Sequence, residues 1–386
     1  MRVLFLSHYH KDAEEIGELA TELRLRGIVP WVDKDRGFIL GDDNEKEARR
    51  VVREESFGLL LYATGNVFER QFIRRIEIAE AKRMKEKDPN YLLVAIPRSI
   101  DFKQLEKLSK NHFHINLSDF HTIEIPGGTD IRPVLEEISR HVLCYVLDKC
   151  QTQVKYPLSL QISTRELLPD EHDDVLRVDA SRLFRKDNPR PDWDRFLNGL
   201  IDIKKEIAIK YGRPHLKIHG SKHLTAAFVV GRVFSPFQME IKQGSEIWKT
   251  DGKSLASSLK IKTIEQYPNS EALSVEISTN GKKVSAAVDR LLSNRLQPCN
   301  RIQCMLNDPL LGIDGPQCID IIRQVRGQIE NTVGKRNVRA IHIFAAVPQG
   351  LMIMLGREFG PLPSVQLYEF DGNNYTPSLF VPSGAL

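Results

Sequence analysis

The amino-acid sequence predicts an α/β protein with two domains, an N-terminal parallel sheet flanked by helices and a C-terminal unit made of two related α/β halves. The first observation is the length of 386 residues, which suggests two or three domains that each bury a core. The second is an alternation of short apolar runs with amphipathic helical patterns over residues 1–125. The third is a pattern that recurs at a constant offset within residues 176–386. Alternating strands and helices predict a parallel sheet covered on both faces.

The first domain, residues 1–125, shows this alternation from its first residues. Apolar side chains at positions 16, 19, 20 and 23 have helical spacing, and Gly27 is suited to end that helix. The predicted strands cover residues 3–6, 28–32, 57–63 and 91–97, and the predicted helices cover residues 13–26, 44–53 and a stretch within 64–81.

The turn and helix at residues 64–81 contain a candidate functional carboxylate. Phe72, Ile73, Ile76 and Ala79 form an apolar stripe, and Glu77 lies at its border. A glutamate in such a place is ordinarily a solvated surface residue. Ligands of parallel sheets, however, bind beyond the carboxyl ends of the strands. That edge is predicted to hold Ser7, His8, Lys11 and Asp12 after the first strand, residues 33–43 after the second, and Thr64 to Phe68 after the third.

Missing motifs disfavour several classes of protein. No Gly-x-Gly-x-x-Gly follows the first strand and no Gly-x-x-x-x-Gly-Lys-Ser/Thr occurs, which argues against Rossmann dehydrogenases and P-loop NTPases. The five cysteines lack Cys-x-x-Cys spacing, so we expect free thiols in a reducing cytosol and no metal site. A net charge of +4 is weak, and no run of cations would coat a DNA or RNA polymer. Without a signal segment or an apolar run of about 20 residues, we expect a soluble cytoplasmic protein and no membrane partner.

Four segments of the first domain form an ordered set. They are Phe5-Leu6-Ser7-His8 with Asp12, Trp31-Val32-Asp33 leading to Leu40-Gly41-Asp42, Ser56 before a strand that ends near Thr64, and Phe72 followed by Glu77-Ile78-Ala79-Glu80-Ala81. Together they resemble a TIR domain of the bacterial type over residues 1–125. The resemblance implies a flavodoxin-like sheet and a catalytic glutamate on the helix that contains Glu-Ile-x-x-Ala.

Glu77 is the residue that this resemblance assigns as catalytic, with Glu80, one helical turn later, as the alternative. The family usually places its glutamate four residues after the aromatic, whereas Glu77 follows Phe72 by five, although Glu-Ile-x-x-Ala fits Glu77 without a gap. The implied substrate is NAD, and no cofactor is required. The candidate NAD contacts are Ser7, His8, Lys11, Asp12, Trp31, Phe38, Leu40, Gly41, Asp42, Thr64 and Phe68.

One carboxylate can serve the chemistry of NAD cleavage. Breaking the bond between nicotinamide and ribose develops positive charge on the ribose, and a nearby carboxylate stabilises that charge. Ordinary glycosidases need a second acid to protonate the leaving oxygen, but nicotinamide already leaves from a cationic nitrogen. The sequence leaves open whether water captures the ADP-ribosyl group, which gives ADP-ribose, or whether the group cyclises.

Residues 126–175 are predicted to be a connecting helix and a linker. The helix covers residues 132–147, and its membership in the first domain or in the linker is open. Beyond it, residues 218–234 align with residues 343–359 at an offset of 125. Each copy contains a strand, a turn, an apolar helix and Gly-Arg-x-Phe. The repeat divides the second domain into halves at 176–268 and 269–386, opened by predicted strands at 174–179 and 273–278.

The two copies, residues 215–232 and 341–357, resemble the SAVED domain, a fused pair of CARF-like halves. The resemblance covers residues 176–386 and implies a sensor of cyclic oligonucleotides in bacterial antiphage systems of the CBASS type. A cleft between two related halves is a natural binding place. The predicted contacts are Ser221, Lys222, His223, Arg232, Ser278, Thr279, Asn280, Pro348, Gln349 and Arg357, although the two arginines are equally consistent with structural ion pairs.

The combined expectation is an NAD glycohydrolase that a cyclic oligonucleotide activates. Resemblance favours cyclic tri-AMP as activator and head-to-tail assembly into a filament, in which the loop near Leu40 and Gly41 completes the site of an adjacent copy. One alternative is a TIR domain that acts only as an interaction scaffold. Another is a receiver-like regulator, which is disfavoured because Ser7-His8-Tyr9-His10 supplies no paired acids after the first strand.

Overall fold

The computed structural model describes residues 3–32, 43–65, 67, 73–98, 100–113, 120–123, 130–150, 156–165, 174–185, 188, 191–257, 259–267, 269–281, 284–294, 299–307, 313–384 and 386. The chain forms two compact units. The first contains Met1–Val154 with Asp170–Val178, and the second contains Lys155–Pro169 with Asp179–Leu386. Within the described residues, no helix combines the length and the apolar character needed to cross a membrane.

The first unit is built on a parallel sheet. Its strands are β1 (Val3–Ser7), β2 (Pro30–Trp31), β3 (Ser56–Ala63), β4 (Leu92–Pro97) and β5 (His121–Thr122). They lie in the order β2-β1-β3-β4-β5, and each neighbouring pair is parallel. This is the flavodoxin-like order, with a switch point between β1 and β3. The predicted fold class is therefore confirmed.

Helices cover the faces of this sheet. They are α1 (Ala13–Leu25), α2 (Asp43–Arg50) continued by a π-helical turn at Val51–Glu55, a π-helical turn at Ile73–Ile78 continued by α3 (Ala79–Lys87), α4 (Phe102–Leu108) continued by a π-helical turn at Ser109–Phe113, and α5 (Ile131–Cys150). The predicted apolar face of α1 is buried, and burial of each large aliphatic side chain stabilises the fold by about 1.5–3 kcal/mol. α5 packs on α1, which settles the open membership of the connecting helix in favour of the first unit.

A second five-stranded sheet contains the strands of the first half of the second unit together with β7 (Asp174–Asp179), whose residues Asp174–Val178 are grouped with the first unit. The elements of this half and its sheet are β6 (Leu158–Ser163), β7, α6 (Trp193–Tyr211), β8 (His215–His219), α7 (Leu224–Val233), β9 (Gln238–Gln243) and β10 (Glu246–Lys249). The order is β10-β9-β8-β6-β7. Strands β6, β8 and β9 are parallel, and β10 returns antiparallel to β9.

The second half repeats this plan with one added edge strand. Its elements are β11 (Leu259–Ile264), β12 (Ala272–Ser278), α8 (Ser285–Asn294), β13 (Asn300–Leu306), α9 (Gly315–Lys335), β14 (Ala340–Ala346), α10 (Gln349–Glu358), β15 (Ser364–Phe370) and β16 (Tyr375–Val381). The order is β11-β13-β12-β14-β15-β16. Apart from β11, it matches the first half strand for strand. Helices α7 and α10 begin and end at positions that differ by 125, so the predicted repeat is confirmed.

The first half opens earlier than the sequence pattern suggested. Residues 158–163, predicted as linker, form β6 between β8 and β7, and residues 174–179, predicted to open the half, form the edge strand β7. The sequence contains a signal for this arrangement that a search at offset 125 misses. Residues 158–164 read Leu-Ser-Leu-Gln-Ile-Ser-Thr and residues 273–279 read Leu-Ser-Val-Glu-Ile-Ser-Thr, at an offset of 115. The assignment of residues 158–163 to a linker is therefore wrong.

Candidate functional sites

The first candidate site lies where β1 and β3 end. Ser7 is the last residue of β1, and Glu77 lies in the π-helical turn that leads into α3. The Ser7 hydroxyl donates a hydrogen bond to Oε2 of Glu77 at 2.5 Å. Both residues are buried, with 1% and 9% of their surfaces exposed. The hydroxyl thus holds the carboxylate against the carboxyl edge of the sheet, where ligands of this fold bind.

Other predicted residues meet at the same edge. Thr64, just after β3, donates a hydrogen bond from Oγ1 to Oδ2 of Asp12 at 2.9 Å, and Asp12 immediately precedes α1. His8 follows Ser7, with its Nδ1 3.2 Å from the carbonyl oxygen of Leu6. The exposed Lys11 places its Nζ 5.9 Å from the ring centre of Tyr9. Since β1 and β3 are adjacent parallel strands, their following loops share this edge.

Trp31 has a different role from the predicted contact with NAD. Its ring stacks on Phe5 with centroids 4.5 Å apart, and it is 5% exposed within the apolar core. Packing therefore occupies the ring face that a nicotinamide or adenine would need, and we remove Trp31 from the candidate contacts. Predictions for Phe38, Leu40, Gly41, Asp42 and Phe68 concern positions outside the described residues.

Glu80, the alternative catalytic residue, is the centre of an ion-pair cluster. Its carboxylate accepts hydrogen bonds from Arg49 at 2.7 Å, Arg53 at 2.7 Å and Arg83 at 3.0 Å, and it is 1% exposed. The hydrogen bond from Arg53 is the main cause that lowers the pKa of Glu80. Three guanidinium groups neutralise this carboxylate and surround it. The geometry therefore favours Glu77 as the carboxylate able to face a developing positive charge.

The second candidate site lies in the second unit, where the central strands of both sheets end. Two adjoining clefts of about 830 and 450 Å³ lie there, within the usual size range of small-molecule sites. Among the described residues, no group of His, Cys, Asp and Glu side chains at these clefts or elsewhere is arranged to hold a metal ion. The larger cleft is lined by Arg165, Phe184, Arg185, Trp193 and His223, the smaller by Lys222, Asn280, Pro348, Gln349 and Tyr368, and both by Arg165, Glu369 and Phe370.

His223 contributes an aromatic wall to the larger cleft. Its backbone N–H donates to Oγ1 of Thr164 at 2.9 Å, and its Nδ1 lies 2.9 Å from the same oxygen. The rings of Phe184 and Trp193 lie 5.6 and 6.3 Å from the imidazole. Burial is the main cause that lowers the pKa of His223 to about 4. The imidazole is therefore neutral at physiological pH and offers a ring surface rather than a charge.

Lys222 lies beneath the smaller cleft rather than in open solvent. Its Nζ donates to the carbonyl oxygens of His219 at 2.8 Å and Gly220 at 2.9 Å, and 2% of its surface is exposed. Burial lowers the pKa of Lys222 to about 7. In the present arrangement the ammonium group holds the turn after β8, so a ligand phosphate could reach it only after this side chain rotates.

This buried lysine predicts a specific pH dependence of stability. Its folded-state pKa is depressed, so the unfolded state binds more protons between pH 7 and the ordinary value of 10.5. The cost of the buried charge is full below pH 7 and declines as pH rises. Relative to Lys222→Met, the wild-type protein should gain about 2 kcal/mol of unfolding free energy between pH 7 and pH 9. Urea unfolding of both proteins at these pH values measures the gain, and a pH-independent difference would contradict the buried-charge explanation.

The helix N-termini at this edge already have protein partners. Unpaired N–H groups at a helix N-terminus favour a ligand anion. At the start of α7, however, the N–H of Thr225 donates to Oε1 of Glu369 at 2.7 Å. At the equivalent place in α10, the N–H of Gly350 donates to Oε1 of Gln243 at 2.9 Å. Each helix is therefore capped by a side chain from the other half, one a carboxylate and the other a neutral amide.

Arg232 and Arg357 lie at the opposite ends of these helices. Arg232 donates from Nη2 to the carbonyl oxygen of Gly360 at 3.3 Å, and Arg357 donates from Nη1 to that of Phe237. Each helix has 10 residues, so about 15 Å separates its two ends. The two arginines therefore join turns of opposite halves and are removed from the candidate ligand contacts.

The remaining predicted residues lie at the ligand edge but differ in accessibility. Gln349 accepts from the N–H of Lys222 at 3.1 Å and joins the two halves. Asn280 is exposed and lines the smaller cleft, whereas Ser278 and Thr279 are each 4% exposed. The Ser221 carbonyl oxygen accepts from the N–H of Thr164 at 2.9 Å. Asn280 is thus the accessible one of the three residues predicted at the turn after β12.

Several residues of the clefts were missed by sequence reasoning. Arg165 follows Ile-Ser-Thr as Asn280 does, so the repeat at offset 115 would have identified it. Glu369 had no such signal, because its partner Thr225 is 144 residues away in the chain. The other missed lining residues are Phe184, Arg185, Trp193, Tyr368 and Phe370.

Comparison with known families identifies this part of the chain. Residues 202–381 match the model of the SAVED family, described as the SMODS-associated and fused to various effectors sensor domain. Residues 202–381 are a SAVED domain. The match begins within α6, so the SAVED family model leaves out β6 and β7. Both strands nevertheless belong to the same sheet as β8, β9 and β10. Arg165 and the ring of Phe184 likewise precede the matched range.

Solved structures show the same fold. A Cap4 SAVED/CARF-domain containing receptor of Acinetobacter baumannii, solved with the cyclic trinucleotide 2′3′3′-cAAA, matches with a TM-score of 0.50 and 13% identity, and covers 96% of this chain and 98% of its own. A Cap4 receptor of Moraxella osloensis matches with a TM-score of 0.47 and 15% identity over the same shares. At 13% identity the first likeness shows the fold alone. No curated protein matches the sequence.

Proposed function

We propose that the protein is an NAD glycohydrolase of the TIR type whose activity depends on a cyclic oligonucleotide bound to the SAVED domain. The observation that supports the enzyme most directly is the position of Glu77. Its carboxylate is fixed by Ser7 at the ligand edge of a flavodoxin-like sheet, while the neighbouring carboxylate of Glu80 is neutralised by three arginines. The TIR resemblance of residues 1–125 supports the same assignment.

The proposed chemistry needs one carboxylate. The C1′–N bond of NAD breaks with its electron pair going to nicotinamide, which leaves neutral from its cationic form. Glu77 stabilises the positive charge that develops on the ribose. Water then forms the C1′–O bond and releases a proton, which gives ADP-ribose. Ser7 keeps the Glu77 carboxylate in place during this step, because its hydroxyl donates a hydrogen bond to Oε2 of Glu77.

The clefts of the SAVED domain support a cyclic oligonucleotide as the activator. Such a ligand presents bases that stack on aromatic side chains and phosphates that pair with cations. The larger cleft offers Phe184, Trp193 and His223 as ring surfaces and Arg165 and Arg185 as cations. The Acinetobacter baumannii receptor was solved with a cyclic trinucleotide, and the same class of ligand, with cyclic tri-AMP favoured, is proposed for this chain.

Assembly and antiphage defence complete the proposal. In the CBASS setting that the resemblance implies, infection produces the cyclic nucleotide and the enzyme then depletes NAD. Head-to-tail contacts between copies would form an open filament, because a heterologous contact that does not close repeats without limit. The loop near Leu40 and Gly41 is proposed to complete the active site of the adjacent copy.

An assay of NAD turnover tests this proposal. The purified chain is incubated with NAD alone and with each member of a panel of cyclic di- and trinucleotides, and nicotinamide release is measured together with ligand binding. We expect release only with an adenine-containing ring, and a rate that rises more than linearly with protein concentration. Binding without any NAD loss would reject the enzyme and leave the alternative, an interaction scaffold gated by a nucleotide sensor.

A further inference from the structure

Glu369 is an acidic side chain in a site proposed for a polyanion. It lies near the end of β15, half-buried, and it lines both the larger and the smaller cleft. A carboxylate in this position repels the phosphates of a cyclic oligonucleotide. A residue with this cost should make a contact that a neutral side chain cannot make.

Capping of α7 does not by itself explain a carboxylate here. Oε1 of Glu369 accepts the N–H of Thr225 at 2.7 Å. Gln243 makes the equivalent contact to Gly350 at 2.9 Å with a neutral amide, and Thr225 and Gly350 are related by the repeat offset of 125. The contact of Gln243 therefore shows that a neutral amide is sufficient to cap such a helix. Glu369 differs from Gln243 in charge and in being an acceptor only.

Glu369 acts as a hydrogen-bond acceptor in this structure, because its Oε1 accepts the N–H of Thr225 at 2.7 Å. Burial is the main cause that raises the pKa of Glu369, and the hydrogen bonds from Thr225 and the charge of Arg165 oppose that rise only in part. An ionised carboxylate accepts hydrogen bonds and donates none. The donors that a nucleotide presents on its base edges include the exocyclic amino groups of adenine, cytosine and guanine.

The neighbouring residue provides a surface for such a base. Phe370 follows Glu369 in β15, lines the same two clefts and is 49% exposed. An exposed aromatic ring is a stacking platform for any base, so it supplies affinity without choosing among bases. Discrimination must then come from a polar group in the same clefts, and Glu369 lines both of them.

We propose that Glu369 accepts a hydrogen bond from the exocyclic amino group of one base of the bound cyclic nucleotide, and so makes the sensor select bases that carry this amino group over bases that lack it. The inference rests on the proposed function, since it assumes a cyclic oligonucleotide in these clefts. Adenine and hypoxanthine provide the sharpest comparison, because hypoxanthine replaces the amino group of adenine with an oxygen acceptor. That oxygen would face the carboxylate unfavourably.

The test compares adenine and hypoxanthine versions of two cyclic nucleotides on the full chain by isothermal titration calorimetry. The probes are cyclic di-AMP and cyclic tri-AMP, each beside its hypoxanthine counterpart. We expect wild-type protein to bind the adenine ring at least about tenfold more tightly, the scale of one hydrogen bond to a charged group. Glu369→Gln should reduce this preference to about one, because an amide can donate to the hypoxanthine oxygen. The variant should fold, since Gln243 already caps the equivalent helix.

Gln243→Glu is the matched control. It adds a carboxylate at the equivalent cap. We therefore expect it to lower the affinities for the adenine and hypoxanthine cyclic nucleotides by a similar factor, and to leave the ratio of the two affinities unchanged. An equal preference for adenine in wild-type protein and Glu369→Gln would overturn the assignment of Glu369, as would no preference in wild-type protein. If no ring binds wild-type protein at all, the proposed function itself fails, and this inference fails with it.

Discussion

Glu77→Gln is expected to lower the rate of ligand-stimulated NAD cleavage at least about a hundredfold, the scale seen when one electrostatic group is removed from an active site. The amide has nearly the same shape and can still accept the hydrogen bond from Ser7, so the fold should be kept. It lacks the negative charge that stabilises the ribose cation. Nicotinamide release at saturating cyclic nucleotide measures the effect, and unchanged ligand binding shows that the SAVED domain is intact.

Glu80→Gln is the matched comparison, because it makes the same chemical change one helical turn later. It leaves Arg49, Arg53 and Arg83 facing an amide, so we expect lower stability of the first unit by about 2 kcal/mol. Activity per folded molecule should remain. If cleavage survives Glu77→Gln and disappears in folded Glu80→Gln, the catalytic assignment must move to Glu80.

Local sequence patterns predicted β1 to β4 of the first unit but neither the short edge strand β5 nor α4. Apolar runs such as 57–63 and 91–97 became the buried strands β3 and β4, because side chains buried on both faces of a parallel sheet must be apolar throughout. The order β2-β1-β3-β4-β5 followed from the family resemblance rather than from these runs. The sequence favoured Glu77 through Glu-Ile-x-x-Ala but kept Glu80 as the alternative, since it lies one helical turn later on the same side. The contacts of Glu80 to Arg49 and Arg53 depend on how α3 packs on the preceding helix.

The second unit shows the opposite balance. The repeat at offset 125 predicted α7 and α10 correctly, but the halves meet through contacts between residues more than 100 positions apart. Such pairs leave no local pattern. Arg232 and Arg357 illustrate the difficulty, because recurrence in both copies suggested a shared ligand role, whereas it reflects a shared structural role at the far helix ends. A repeat therefore identifies equivalent residues without saying what they contact.

The contact between α7 and α10 is the clearest physical result of this repeat. A Cβ added at Gly231 would lie 1.7 Å from the carbonyl oxygen of Ile353, and one at Gly356 would lie 2.0 Å from that of Phe228. The offset of 125 relates Gly231 to Gly356 and Phe228 to Ile353. The two contacts are thus the same contact made twice about a local two-fold axis. Glycine is required at both positions because the backbones themselves touch.

Gly231→Ala is expected to lower the free energy of unfolding of the second unit by roughly 3 kcal/mol, since the added methyl group meets backbone that cannot rotate away and the helices must separate. Gly356→Ala should cost a similar amount. The double variant should cost clearly less than the sum, because one separation of the helices relieves both clashes. Calorimetric unfolding of the full chain, with the transition of each unit followed separately, measures these changes.

Gly327→Ala in α9 is the control for the helix pair, because an added Cβ there meets nothing within 4 Å. It should leave stability unchanged or raise it by about 0.5–1 kcal/mol through helix propensity. If Gly231→Ala lowers the free energy of unfolding no more than Gly327→Ala does, helices α7 and α10 do not approach as closely as the structure shows. The reciprocal contacts at Ile353 and Phe228 predict that the two substitutions are not additive. Full additivity in the double variant would therefore contradict a single shared separation of the helices. The same close approach fixes the start of α7 beside the start of α10, so the helix-capping residues Glu369 and Gln243 reach across to the opposite halves.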